Sequence, residues 1–160
     1  MKADDILAAL RLRHPIEAWV FFAELRVGTG FGGRKEQRLD AWAMHCWPSA
    51  QYRRIAYEIK VTKSDMQHEI ENPQKRQAAL SLSNEFYWAI PSGLETPLLP
   101  AEAGLIVVDE RGAHVARKAP YRESPLPPLS FLASVARRAM LASKGGGSNI
   151  RDFISHGGSA

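Results

Sequence analysis

Tyr57-Glu58-Ile59-Lys60, preceded at a distance by Leu39-Asp40, is the stretch on which the fold turns. The four residues sit in an apolar run that opens with Ile55-Ala56 and continues into Val61. Such a run reads as a buried strand. A strand alternates its faces, so Glu58 and Lys60 point one way while Ile59 points into the core. Burying an unpaired glutamate there would be costly. Residues 38–47 (Arg-Leu-Asp-Ala-Trp-Ala-Met-His-Cys-Trp) read as the strand before, Pro48-Ser49-Ala50-Gln51 as a hairpin turn, and residues 53–62 as the returning strand. With the two strands paired, Asp40 joins Glu58 and Lys60, and two carboxylates and an ammonium converge on one patch. That is the minimum needed to hold a hard divalent cation and aim a water at a phosphodiester.

Outward from this pair the elements alternate in type. Residues 3–13 mix charge with Leu and Ile at helical spacing and are followed by Pro15, which predicts a short amphipathic helix. Pro15 then opens a second predicted helix through about Arg26, with Trp19, Phe22, Ala23 and Arg26 on one stripe. Residues 28–36 form a glycine-rich, charged loop. Beyond the strand pair, Ser64-Asp65-Met66-Gln67 is a capping-box signature that starts a helix at Ser64. That helix stops near Asn72, ahead of Pro73, and Asn72 caps a fresh helix through about Ser83. Residues 85–91, 104–110 and 113–119 read as strands, 120–128 as a proline-rich connector, and about 129–143 as a basic helix before Gly145-Gly146-Gly147 and a flexible tail. The order predicts an α/β fold with a central mixed sheet, in which the helical crossover 64–83 returns the chain parallel to the hairpin.

Bulk composition narrows the function classes. A chain of 160 residues, 45% apolar and 24% charged, suits one soluble globular domain. The single cysteine, Cys46, leaves no internal disulfide and points to a reducing, cytoplasmic setting. The start Met1-Lys2-Ala3-Asp4-Asp5 lacks a signal-peptide core, and the run Trp19–Ala23 is too short for a bilayer, so no membrane partner is expected. The net charge of +4 is uneven. Residues 1–110 hold 13 Lys/Arg against 15 Asp/Glu, and residues 111–160 hold 8 against 2. A near-neutral body with a basic end suits a protein that holds a cation and tracks a polyanion.

At this point the residues resemble the PD-(D/E)xK nuclease superfamily, the restriction-endonuclease-like enzymes. The superfamily core is a helix, a strand pair carrying Asp…(Asp/Glu)-x-Lys, a crossover helix and a strand, and the resemblance covers roughly residues 15–92. Small stand-alone phage or bacterial nucleases and Holliday-junction resolvases look most similar. Asp40 matches the motif's aspartate, Glu58 its second acid and Lys60 its lysine, while Leu39 stands where many members have proline. Glu24, on the predicted helix ahead of the strand pair, matches an extra acidic ligand that many members carry. The resemblance implies a nuclease core over 1–124 and a connector, basic helix and tail over 125–160. It also implies Mg²⁺ or Mn²⁺ held by Asp40, Glu58 and the Ile59 carbonyl with Glu24 assisting, and Lys60 orienting or deprotonating the attacking water.

Weaker candidates surround this set. Gln37, at the loop–strand junction, is a candidate for contact with a metal-bound water or substrate, while Ser64, at a helix start directly after the lysine strand, is read first as a cap and second as a substrate contact. Lys75 and Arg76 fall in a helix's first turn, where the macrodipole disfavours cations unless a phosphate is near, so the pair is read as contacting substrate phosphate, with a solvent-facing pair balanced by Glu69 and Glu71 as the alternative. Arg137, Arg138 and Lys144 could follow a nucleic-acid backbone or simply face solvent. The Gly28-Thr29-Gly30-Phe31-Gly32-Gly33 match to a dinucleotide fingerprint lacks the strand before it and the helix after it. Trp42, Trp47, Phe86, Tyr87 and Trp88 are read as core rather than base-stacking platforms.

The sequence thus points to a metal-dependent nuclease acting on DNA. A non-cleaving nucleic-acid-binding module on the same fold, and an adaptor using its basic carboxy-terminal helix, are the alternatives. Substrate form and oligomeric state stay open, although cutting both strands of a junction would ask for a homodimer.

Overall fold

The computed structural model describes residues 1–27 and 37–145, so the glycine-rich loop and the tail after Gly145 lie outside the described residues. Helix α1 (Ala3–Leu12) opens the chain. Strands β1 (Trp19–Arg26), β2 (Arg38–His45) and β3 (Arg54–Ile59) follow as an antiparallel meander. Helix α2 (Lys63–Glu71), a 3-10 turn at Pro73–Arg76 and the short helix α3 (Gln77–Ser81) carry the chain across to β4 (Glu85–Pro91), parallel to β3. Strand β5 (Gly104–Asp109) is parallel to β4, β6 (Gly112–Arg117) is antiparallel to β5, and α4 (Leu129–Gly145) ends the described chain. The six strands lie in sequence order in one mixed sheet.

Alternation sorts the side chains onto two faces. Ala41, Ala43, Ile55, Tyr57, Tyr87 and Ala89 pack with Ile6 and Leu10 of α1. Trp42, Ala56, Phe86 and Trp88 face the other way, against Met66 of α2, Ala79 of α3 and Phe131 of α4. Helices therefore cover both sides of the sheet, as a chain with strand runs this apolar requires.

The second predicted helix is a strand. Pro15 closes a single turn, with Ala18 and Trp19 N–H groups donating to its carbonyl, and the chain then extends. Trp19-Val20-Phe21-Phe22 is rich in residues that suit a pleated surface, and β2 offers a partner along its whole length. Two smaller departures follow the crossover. The cap of α2 is Thr62, whose hydroxyl accepts from Asp65 N–H at 3.2 Å, and the helix begins at Lys63 rather than Ser64. Asn72 turns its amide back to the His68 carbonyl (2.7 Å) instead of capping the next helix, which is first 3-10 and then α.

The carboxy-terminal region is tied into the core. Arg54 donates to the carbonyls of Ser124 and Pro125 at 2.8 Å each, and Asn84 bridges Arg54 N–H to the Arg122 carbonyl. Phe131 is fully buried with its ring 5.2 Å from that of Trp42. The expected boundary at residue 124 thus falls inside a packed unit, and the start of the basic helix belongs to the core. Trp47, expected in that core, is 54% exposed.

Gly104 is fixed by its neighbour across the sheet. A Cβ there would come within 3 Å of both the Tyr87 ring and the Ala119 backbone nitrogen. Gly104→Ala is expected to cost about 1–3 kcal/mol through this overpacking, read as a lower denaturant midpoint with unchanged slope. An unchanged midpoint would mean that the Tyr87 ring moves aside freely.

Candidate active site at the fork between two strands

The ladder between β2 and β3 stops at Ala41 opposite Tyr57. One step further, the register sets Asp40 against Glu58, on the sheet face shared by Trp42, Ala56 and Trp88. The backbones part there. The Ile59 N–H is taken by the Asp40 side chain, with Oδ2 accepting at 2.8 Å. Lys60 N–H donates to the Ala89 carbonyl at 3.0 Å, so the end of β3 stays with β4 as it leaves β2. The fork opens at the positions that carry the acids.

Lys60 sits between carboxylates. Its Nζ donates to Glu58 Oε1 at 2.8 Å, the same-face contact that strand alternation predicts for residues two apart. Glu69 of α2 lies on its other side, Oε2 being 3.6 Å from the same Nζ and 3.7 Å from Lys75 Nζ. Glu69 is buried, and the Lys60 side chain is only 13% exposed. Electrostatics follow from this crowding. Burial, followed by the charge of Asp40, pushes Glu58 up to about 7 against the pull of Lys60. Burial also raises Asp40, although the Ile59 N–H and the Lys60 ammonium work against it. Burial alone would lower Lys60, but Glu58, Glu69 and Asp40 together hold it above its ordinary value.

Asp40, Glu58, Ile59 and Lys60 are therefore brought together as expected; the remaining candidates separate. Glu24 is not helical. It stands on β1 opposite Asp40, where the ladder skips one pair, and its φ of 51° puts a non-glycine residue in the left-handed region. Its side chain is exposed and meets Arg38 at 3.6 Å. Gln37 is exposed at the edge of the described segment, its carbonyl accepting from Val27 N–H. Ser64 lies exposed in the first turn of α2 beside the Thr62 hydroxyl. Lys75 meets the site through Glu69.

Arg76 corrects the phosphate expectation outright. It is 7% exposed, and Nε and Nη2 both donate to Glu102 Oε1 at 3.0 and 2.8 Å. Its Nη1 reaches the carbonyls of Glu69 and Ile70, and the guanidinium lies over the Trp88 ring at 6.0 Å. Its work is to pin the end of α2 to the sheet. Arg76→Ala removes the guanidinium from Glu102 and from the Ile70 carbonyl, while the Glu69 carbonyl keeps the Asn72 N–H. A loss of about 2–3 kcal/mol is expected, seen as a melting temperature lower by several degrees. A melt matching the wild type would deny Arg76 that role.

Glu69 is the member that sequence reading overlooked as part of the site. A signal existed: Met66, Glu69 and Ile70 lie at helical spacing on one face, which puts an acid on an apolar stripe.

Among the described residues, no group of three or more His, Cys, Asp or Glu side chains is arranged to hold a metal ion, and no helix is long and apolar enough to cross a membrane. What the fork offers is two half-buried carboxylates close enough to feel one another's charge, an ammonium beside Glu58 and a third acid behind it. No protein-family model matches the chain, and no curated protein sequence matches it. Among solved structures the chain is similar to a protein of unknown function from Silicibacter pomeroyi, at 24% identity and a TM-score of 0.62 over 94% of this chain and 97% of that one. The likeness establishes a shared fold.

Proposed function

We propose that this chain is a metal-dependent nuclease that hydrolyses phosphodiester bonds in DNA. The observation that carries the reading is the opposition of Asp40 and Glu58 at a strand fork, with Lys60 bound to Glu58 at 2.8 Å. Two like-charged, half-buried acids destabilise each other unless a cation offsets them. Hard oxygen donors of this kind suit Mg²⁺ or Mn²⁺, which keep several waters and need only one or two carboxylates from the protein. Asp40 and Glu58 would hold the cation, with the Ile59 carbonyl as a further donor. Once bound, it supplies Lewis acidity to a phosphoryl oxygen and lowers the pKa of its water.

The other roles belong to the chain itself. Lys60 presents an ammonium at the edge of the pair, where it can orient the attacking water and donate to the phosphoryl oxygens as their charge grows. Glu24, on β1 opposite Asp40 of β2, is a candidate for an outer role through waters. The basic balance after residue 110 favours a polyanionic substrate.

The test is a panel of labelled oligonucleotides (linear, nicked, flapped and four-way) incubated with Mg²⁺, Mn²⁺ or a chelator. Cleavage of at least one substrate with metal, and none with chelator, is expected. Salt-sensitive binding without cleavage under any metal would favour a non-cutting binding module instead. Within the same panel, Lys60→Met is expected to keep metal binding and lose most turnover, about a hundredfold or more. Turnover equal to the wild type would remove Lys60 from the chemistry.

A further inference from the structure

The Lys60 ammonium has two carboxylate neighbours that differ in kind. Glu58, at 2.8 Å, belongs to the pair that faces the fork; Glu69, at 3.6 Å, comes from the helix behind. In the arrangement described, Glu58 is committed to Lys60. A carboxylate that takes a divalent cation brings that charge close to the same ammonium, and the two cations repel. Lys60 is too buried to be left without a partner when Glu58 changes hands.

Glu69 is placed to receive it. Its backbone is fixed, because Arg76 binds the carbonyls of Glu69 and Ile70, and Met66 one turn earlier is fully buried. Its present second partner, Lys75, is half exposed at 51% and can turn into solvent at little cost. Among the described residues Lys60 makes no further ion pair on the other side of the fork, where Asp40 is bound to the Ile59 N–H.

On this geometry, and resting on the metal reading proposed above, we infer that Glu69 is a positioning residue that takes over Lys60 when Glu58 binds the cation. Glu69 ligates nothing itself. It lets one lysine serve the site in two states: paired with Glu58 before the cation arrives, and drawn back to Glu69 afterwards, beside the ion but no longer competing for its ligand. Lys75 is displaced to the rim in the second state.

A double-mutant cycle on cation affinity separates this from a ligand role. Mn²⁺ is titrated calorimetrically into the wild type, Glu69→Gln, Lys60→Met and the double variant. With Lys60 present, Glu69→Gln is expected to weaken Mn²⁺ binding about tenfold, as removing a group that supports a metal ligand typically does. In the Lys60→Met background the same change is expected to have no effect, since no ammonium remains to be moved. Equal weakening in both backgrounds would make Glu69 a ligand and overturn the inference while leaving the metal site standing. No weakening in either would overturn it too. Absence of Mn²⁺ uptake by the wild type would remove the metal reading and this inference with it. Should Glu69→Gln fail to fold, Glu69→Asp replaces it in the cycle; it keeps the charge one methylene short, and a smaller loss that again depends on Lys60 is expected.

Discussion

On the proposed reading, Asp40→Ala or Glu58→Ala is expected to reduce cation-dependent cleavage by about a thousandfold or more, because each would remove one of the two carboxylates proposed to hold the cation and with it several kcal/mol of transition-state stabilisation. The fold should survive both. The two acids sit past the last paired residues of the β2–β3 ladder, and the core beneath them is carried by Trp42, Ala56 and Trp88. Low-salt DNA binding should survive as well, since it depends on summed basic charge. Rates are to be measured on protein freed of host nucleases, with circular dichroism melts beside them. Activity retained in Glu58→Ala at the wild-type level would take the chemistry away from this fork.

Glu58→Gln is expected to change stability in a pH-dependent way that burial, and after it the charge of Asp40, dictates. Glu58 is raised from its ordinary 4.5 to about 7 in the folded protein. Between those values the folded state binds more protons than the unfolded chain, so stability falls as pH rises through this window. The contribution is fully present below about 4.5 and lost above about 7. Glutamine carries no titrating proton, so the variant gains on the wild type as pH is raised. A relative gain of about 1–3 kcal/mol between pH 4.5 and 7.5 is expected, the lower part of that range allowing for the Lys60 contact that is lost. Urea midpoints at several pH values measure it. A gap between the two proteins that does not change with pH would mean that Glu58 is not held in this strained protonation state. The same strain gives Mn²⁺ something to relieve: at pH 7.5 the cation should stabilise the wild type and leave Glu58→Gln unmoved.

Much of the central fold was legible because its signals were local. The Ile55–Val61 run, the turn at Pro48 and the break at Asn72-Pro73 each act within a few residues, and the strands and crossover appear where those signals put them. The first strand was not legible for a physical reason. Trp19, Phe22, Ala23 and Arg26 satisfy helical spacing as well as strand composition, and only pairing with β2 decides between them. The left-handed backbone at Glu24 leaves no trace in the residue type. Arg76 reads in sequence as a phosphate contact beside Lys75, and its burial depends on Glu102, twenty-six positions away. Strand alternation alone puts Glu58 and Lys60 on one face, whereas Glu69 enters from a helix whose rotation about its axis depends on how Met66 packs.

The measurement that bears most directly on the central claim is an anomalous difference map from crystals grown with Mn²⁺. The account predicts a single strong peak between the Asp40 and Glu58 carboxylates, with the Lys60 ammonium shifted from Glu58 towards Glu69. A map without a peak at the fork, with Glu58 still bound to Lys60, would contradict it.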